Sequence, residues 1–128
     1  MTHPQLKALR KSVEAFYEGD LEGAFALYHD DFVLHVPGRS SFAGHYTGRD
    51  AFLSLMGQFM ERYSQTGSET LAMFADDEYG IVLERSTAAR GDRTFEQQLV
   101  SVVRFRDGKV SEMWNVPFDQ AARDEWMA

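Results

Sequence analysis

The side chains of this chain that could do acid–base or metal chemistry are spread along the sequence. The four histidines lack the spacing of a metal-binding pair on one helix, so no metal site is expected; they are His3, His29, His35 and His45. There is no cysteine, which excludes disulfides, iron–sulfur clusters, thiolate zinc sites and cysteine nucleophiles. No glycine-rich phosphate or dinucleotide motif occurs either. We therefore expect no cofactor.

The composition is that of one acidic globular domain. The 128 residues include 13 basic and 20 acidic side chains, which give a net charge of −7, so a nucleic-acid partner is not expected. The apolar runs are too short to span a membrane, and the N-terminal segment lacks the apolar stretch of a signal peptide. We expect a single domain over residues 1–128 that is soluble and cytoplasmic and has no membrane partner.

Apolar residues recur at helical spacing in three segments of the N-terminal half. The first predicted helix begins at Pro4, which suits a first turn, and ends before Gly19, which suits a helix end. Asp20 predicts the N-cap of a short second helix. Asp50 predicts the N-cap of a third helix over about residues 51–63.

The second half of the chain changes to a period of two, which is typical of strands. Asp107-Gly108, between two β-branched runs, predicts a tight hairpin. After the last strand, Asp119 predicts the N-cap of a short terminal helix. The predicted strands are 32–36, 69–75, 79–89, 94–106 and 109–117, with a loop over 39–48. This order predicts an α+β domain in which three N-terminal helices pack against a curved antiparallel sheet.

Three segments carry a resemblance to a known superfamily. They are FYEGDLEGAFALYHDDFVLHVPG, FAGHYTGRDAF and RFRDGKVSEMWNVPFDQAARDEW. They resemble the nuclear transport factor 2-like superfamily, and above all its SnoaL-like, ketosteroid-isomerase-related branch. The resemblance covers nearly the whole chain. It implies a cone-shaped, cystatin-like α+β fold, a largely apolar pocket between helices and sheet, and a homodimer through the outer face of the sheet.

The resemblance does not imply one reaction, because the superfamily includes isomerases, cyclases, epoxide hydrolases, dehydratases and non-catalytic binders. The Tyr, Asp and Asp groups of ketosteroid isomerase fall near Ser12, Val36 and Ser101 of this chain. None of the three groups is present, so steroid isomerisation by that mechanism is not expected. A shift of one residue in the match would bring His35 to the position of the base.

Similarity to SnoaL-like cyclases implies a different base. Their acid–base carboxylate lies near the end of the last long strand, where this chain has Asp119. Burial in an apolar pocket raises the pKa of a carboxylate, and a histidine side chain can be neutral or charged near neutral pH, so Asp119 and His35 could share proton transfer. Asp119 is also explained as a helix cap. An epoxide-hydrolase cluster of Asp119 and Arg85 lacks a second carboxylate.

Strand alternation, anchored by that match, predicts the rest of the pocket. The predicted ligand-binding residues are Asn115, Ser101, Gln97, Phe52, Met56, Phe59, Leu99 and Met113. The opposite, outer face is predicted to carry Val100, Val102, Trp114 and Val116. An exposed apolar patch of this kind favours a homodimer.

Three functions remain open at this point. The first is cofactor-independent acid–base catalysis, of isomerase, cyclase or hydrolase type, on a hydrophobic carbonyl compound, with His35 and Asp119 as catalytic residues. The second is non-catalytic binding of a small hydrophobic molecule in the same pocket, and the third is a protein-interaction domain. Convergence of His35 and Asp119 on one internal pocket would favour the first, whereas a packed interior would favour the third.

Overall fold

A six-stranded sheet and four helices form the computed structural model of the chain, which describes residues 3–128. The helices are α1 (Pro4–Glu18), α2 (Leu21–Phe25), α3 (Gly48–Arg62) and α4 (Gln120–Met127). The strands are β1 (Tyr28–Val36), β2 (Gly44–Thr47), β3 (Gln65–Ala75), β4 (Tyr79–Arg90), β5 (Arg93–Arg106) and β6 (Lys109–Pro117).

The sheet has the strand order β2-β1-β6-β5-β4-β3. Strands β3 to β6 form an antiparallel meander, as the hairpin signals predict. The predicted α+β fold class is therefore confirmed. One pairing departs from the antiparallel pattern, because β1 runs parallel to β6 with Leu34 opposite Met113. This pairing places β1 next to β6, at the edge of the meander opposite β3.

The helix ends follow local hydrogen-bonding chemistry. Gly19 ends α1 in the left-handed conformation, with φ of 78°. Asp20 then caps α2, because its carboxylate accepts a hydrogen bond from the Gly23 amide at 3.0 Å. The Ser12 hydroxyl donates to the Ala24 carbonyl at 2.7 Å and ties the two helices together. Ser12 is thus a buried structural donor.

Aromatic side chains fill the space between the N-terminal helices and β1. Phe25 packs edge-on against Tyr28 and Phe52, with ring centroids 5.5 Å apart in both pairs. Phe32, at 1% exposure, completes this cluster. On the sheet side, Gly80 lets α1 approach closely, because a Cβ there would stand 2.8 Å from a methyl carbon of Leu9. Helix α1 is thereby fixed over the sheet.

Several predicted boundaries are wrong. β1 begins at Tyr28, so the Asp30-Asp31 pair lies inside the strand instead of preceding it. The segment predicted as a loop contains β2, which exists through its pairing with β1. Thr47 occupies the N-cap position of α3, and Asp50 lies in the first turn. β3 begins at Gln65 and not at residue 69, so it is four residues longer than predicted.

Among residues 3–128, no helix is both long enough and apolar enough to cross a membrane.

Candidate functional site

The inner face of the sheet carries several polar side chains among apolar ones, and three of them lie close together on β4, β5 and β6. In the β4–β5–β6 register, Val82 lies opposite Ser101, and Ser101 lies opposite Asn115. Two register pairs further along, on the same face, Glu84 lies opposite Leu99. Because directly opposite residues share a face of the sheet, the carboxylate, the hydroxyl and the amide all point toward the helices.

Glu84 is the one half-buried carboxylate that these three strands direct to that face. Ser68 Oγ donates a hydrogen bond to Glu84 Oε2 at 2.8 Å. Burial raises the pKa of Glu84 above its ordinary value, while hydrogen bonds from Ser68 and Ser101 act in the opposite direction and do not cancel the rise. A carboxylate with a raised pKa that is still partly accessible is suited to accept and return a proton.

A contact between α1 and β3 borders this carboxylate. Thr70 lies directly opposite Glu84 in the β3–β4 register. Its hydroxyl is hydrogen-bonded to the Tyr17 hydroxyl at 2.7 Å. Tyr17 is half exposed, so this pair marks the edge at which the inner face meets solvent.

The negative charge of Glu84 also affects the pKa of Tyr28 on β1. The pKa of Tyr28 is raised well above its usual value, mainly because the phenol is buried and secondarily because of the nearby negative charge of Glu84. Tyr28 is therefore a neutral phenol over the whole working range of a protein.

Sequence reasoning missed Glu84, although a signal for it exists. The β4–β5 hairpin turns at Gly91-Asp92, where Arg90 pairs with Arg93. Pairing the strands outward from this turn puts Glu84 opposite Leu99. Since Leu99 was already predicted to face inward, that step would have found the carboxylate.

The predicted ligand-binding residues of β5 and β6 lie on the inner face. Leu99 and Ser101 are each 3% exposed, and Met113 packs against the core cluster. Asn115 Oδ1 is buried and has no hydrogen-bond partner. A buried amide oxygen without a partner is costly, so this position is suited to a polar group of a ligand.

The predicted residues of α3 are divided between two aromatic groups. Phe52 belongs to the cluster around Phe25, and Phe59 packs on Tyr63 with ring centroids 4.7 Å apart. Met56 is 40% exposed, so it lies at the edge of the interior and not within it. Helix α3 thus forms an aromatic wall with a methionine at its rim.

The end of the interior beneath α4 has its own polar groups. Gln97, another predicted ligand-binding residue, accepts a hydrogen bond from Arg123 Nη1 at 3.3 Å and donates one to the Asp119 carbonyl at 3.1 Å. Trp126 lies between the rings of Tyr63 and Phe95, with centroids 5.7 and 5.4 Å away. Both the Tyr63 hydroxyl and the Trp126 indole nitrogen are buried without a partner.

His35 lies on the outer face of the sheet, so the prediction that it points into the interior is wrong. Its register partner is Trp114, and the two rings stack with centroids 5.2 Å apart. His35 Nε2 is 2.9 Å from Glu112 Oε2, and His35 Nδ1 is 2.6 Å from His45 Nδ1. The inward residues of β1 are its neighbours, with Leu34 buried.

Asp119 acts as the N-cap of α4. Its Oδ1 accepts a hydrogen bond from the Ala122 amide at 3.0 Å, and the residue is exposed. The prediction that His35 and Asp119 converge on one internal pocket is therefore wrong. The structure supports the capping explanation of this aspartate.

Two concavities also open on the surface, and neither is lined by a predicted site residue. One, of about 260 Å³, lies between α2 and the start of β1, where Arg49 covers the Phe25 ring at 5.0 Å. The other, of about 580 Å³, lies on the outer side of the sheet. Its arginines are already paired, Arg104 with Glu78 at 3.6 Å and Arg106 with Asp31 at 3.3 Å. Within the described residues, no group of three His, Asp or Glu side chains is arranged to hold a metal.

Helices wrapped by a bent sheet, with polar groups on its concave face, define a nuclear transport factor 2-like α+β domain. The chain belongs to the SnoaL-like domain family, whose family model matches residues 9–113.

Relatives and solved structures are similar to this protein over nearly its full chain. An uncharacterised protein of Mycobacterium tuberculosis is 25% identical over 125 residues, which cover 96% of this chain and 95% of that protein. The structure of Bal32a, from a soil-derived mobile gene cassette, is 26% identical with a TM-score of 0.86, covering 97% and 96% of the two chains. A nuclear transport factor 2-like protein of Burkholderia pseudomallei is 20% identical with a TM-score of 0.83, covering 99% of each chain.

Proposed function

We propose that this protein is a cofactor-independent acid–base enzyme acting on a small, largely apolar carbonyl compound. The observation that carries the proposal is Glu84, a half-buried carboxylate of raised pKa on the face of the sheet that points to the helices, opposite the buried Leu99. In such a site a carboxylate removes a proton from the carbon next to a carbonyl more readily than it would in water. The substrate would lie between the inner sheet face and α3.

The neighbouring side chains have separate tasks in this proposal. Ser68 and Ser101 hold the Glu84 carboxylate by hydrogen bonds and are positioning residues. Asn115 lies directly opposite Ser101, and its amide has an unpartnered buried atom. The O and N atoms of an amide exchange places on rotation, so Asn115 can present its N–H to the substrate oxygen.

The proton balance of the step is simple. Glu84 takes the α-proton, and the electron pair left on carbon moves onto the carbonyl oxygen as an enolate stabilised by Asn115. Protonated Glu84 then returns the proton to the same or a conjugated carbon. The acidic proton of protonated Glu84 exchanges with solvent, so a proton returned to the same carbon comes from solvent, and a proton returned to another carbon gives isomerisation.

Exchange with solvent allows a test without knowledge of the substrate. In D₂O, 2-tetralone serves as the apolar ketone, and NMR follows deuterium entering its α-carbon. We expect the wild type to accelerate exchange above buffer and Glu84→Gln to lower the enzymatic rate by about 100-fold or more, the scale of general base catalysis.

The matched control is Glu61→Gln, which removes an exposed carboxylate of α3 and should leave the rate unchanged. Equal rates for the wild type and Glu84→Gln would contradict the assignment of the base. Binding of 2-tetralone with no exchange above buffer would instead support non-catalytic binding.

A further inference from the structure

We propose that the interior beneath α4 is a subsite for the carboxylate of an apolar organic acid, bound by Arg123 and Tyr63. This inference rests on the proposed function, because it names the class of ligand that the same interior takes. Two independent features carry it: a partly buried arginine with no carboxylate of the described residues within 4 Å, and a set of buried donors beside it.

Arg123 is a cation for which the chain supplies no anion at contact distance. The guanidinium bonds the neutral amide of Gln97, and its pKa is lowered because burial penalises the charged form. Across residues 3–128, carboxylates lie within 4 Å of Arg85, Arg104 and Arg106, and none lies that close to Arg123. The adjacent Asp124 accepts hydrogen bonds from the Arg39 amide and Gln120, and its negative charge favours charged Arg123 only from beyond contact distance. A partly buried cation of this kind is stabilised further when a ligand brings an opposite charge into contact with it.

The side chains next to Arg123 favour an anion as well. Tyr63 is buried, and its hydroxyl has no hydrogen-bond partner. The indole N–H of Trp126, stacked on Tyr63, is a second unpartnered donor. An indole nitrogen can only donate, so an acceptor oxygen satisfies it and a second donor does not.

Two further arginines strengthen the positive potential at this end of a chain with a net charge of −7. The Arg62 guanidinium lies 5.9 Å from the centre of the Tyr63 ring, and that of Arg93 lies 5.5 Å from the Trp126 ring. Arg62 donates a hydrogen bond to the main-chain oxygen of Ala128 at 2.5 Å, and within the described part of the chain neither arginine has a side-chain carboxylate within 4 Å. Three arginines around one aromatic pair therefore favour an anionic group there.

The position of this subsite suits the proposed chemistry. Gln97, which bonds Arg123, is the diagonal neighbour of Glu84, because Ser86 pairs with Gln97 and Glu84 with Leu99. Diagonal positions on one sheet face are about 7–8 Å apart. A ligand of one or two rings whose carboxylate binds Arg123 would thus bring a carbon near Glu84, with the two negative charges kept apart.

The test compares 2-naphthoate with 2-naphthamide, which have the same shape and differ in charge. Isothermal titration calorimetry gives both dissociation constants. We expect the wild type to bind the carboxylate about ten-fold or more tightly than the amide, since hydrogen bonds to a charged group contribute on this scale. Arg123→Gln should remove that preference and leave 2-naphthamide binding unchanged.

Two variants complete the design. Tyr63→Phe removes only a hydroxyl and should weaken 2-naphthoate alone, even if Arg123→Gln disturbs α4. Arg10→Gln removes an exposed positive charge of α1 and should change neither affinity. Equal binding of both probes by the wild type would overturn the carboxylate subsite while leaving an apolar interior site intact. Binding of neither probe would contradict the interior site, and the subsite with it.

Discussion

The ionised side chain of Glu84 lowers the stability of the folded protein at neutral pH. Its pKa is raised by burial despite hydrogen bonds from Ser68 and Ser101, so the folded state holds the proton more tightly than the unfolded state. The contribution of this group to stability is therefore greatest below its ordinary pKa of 4.5 and is lost as the pH rises through the folded-state pKa. A site that needs ionised Glu84 at neutral pH carries this cost.

Replacement of Glu84 by glutamine should therefore stabilise the protein at neutral pH. Glutamine keeps an oxygen that accepts from Ser68 and removes the charge that burial penalises. We expect the Tm of Glu84→Gln at pH 7 to exceed that of the wild type by roughly 2 °C or more. Scanning calorimetry should show this gap closing below pH 4.5, while Glu61→Gln shows no such gap. A lower Tm at pH 7 would contradict the argument.

At the scale of elements, Asp119 determines how α4 begins. Its carboxylate accepts from the Ala122 amide, so Asp119→Ala should reduce the free energy of unfolding by about 1 kcal/mol. Asn is as good an N-cap as Asp, so Asp119→Asn should cost far less. Denaturant titration measures both values. If Asp119→Asn abolished 2-tetralone exchange as completely as Glu84→Gln, the capping explanation would be insufficient.

Helices and hairpins were predictable from the sequence because each depends on nearby residues. Pro4, Gly19 and Asp20 act within one or two turns, and the Asp107-Gly108 turn fixes the β5–β6 hairpin. β2 was not predictable in this way, since its four residues form a strand only against β1. The parallel β1–β6 pairing is likewise a property of the folded chain.

The side of the sheet on which a residue lies is harder to predict than the strand that contains it. A shift of one position exchanges the two faces of a strand. The match of this chain to ketosteroid isomerase near β1 can move by one residue, and that shift determines whether His35 or its neighbour is predicted to point inward. The structure places His35 outward beside Trp114. The same sensitivity concealed Glu84, whose face follows from pairing β4 with β5.

At the scale of the whole molecule, the outer face of the sheet carries a continuous row of large side chains. Register pairs connect Phe74 to Ile81, Ile81 to Val102, and Val102 to Trp114. Phe74 is 61% exposed and Ile81 is 38% exposed. The row continues onto β1 at His35, where ring stacking covers part of Trp114. An exposed apolar row across four strands is typical of a surface that a second protein covers.

We therefore expect a homodimer in which two copies of this outer face pack together, since a two-fold interface uses the same surface on both chains. Val102 lies inside the row, so Val102→Arg should weaken association by at least about ten-fold, because burying an unpaired charge is costly. Light scattering at micromolar concentration measures the mass. Met60→Arg, which puts the same charge on an exposed apolar residue of α3, should leave the dimer intact. A monomeric wild type, or equal effects of both variants, would contradict this interface.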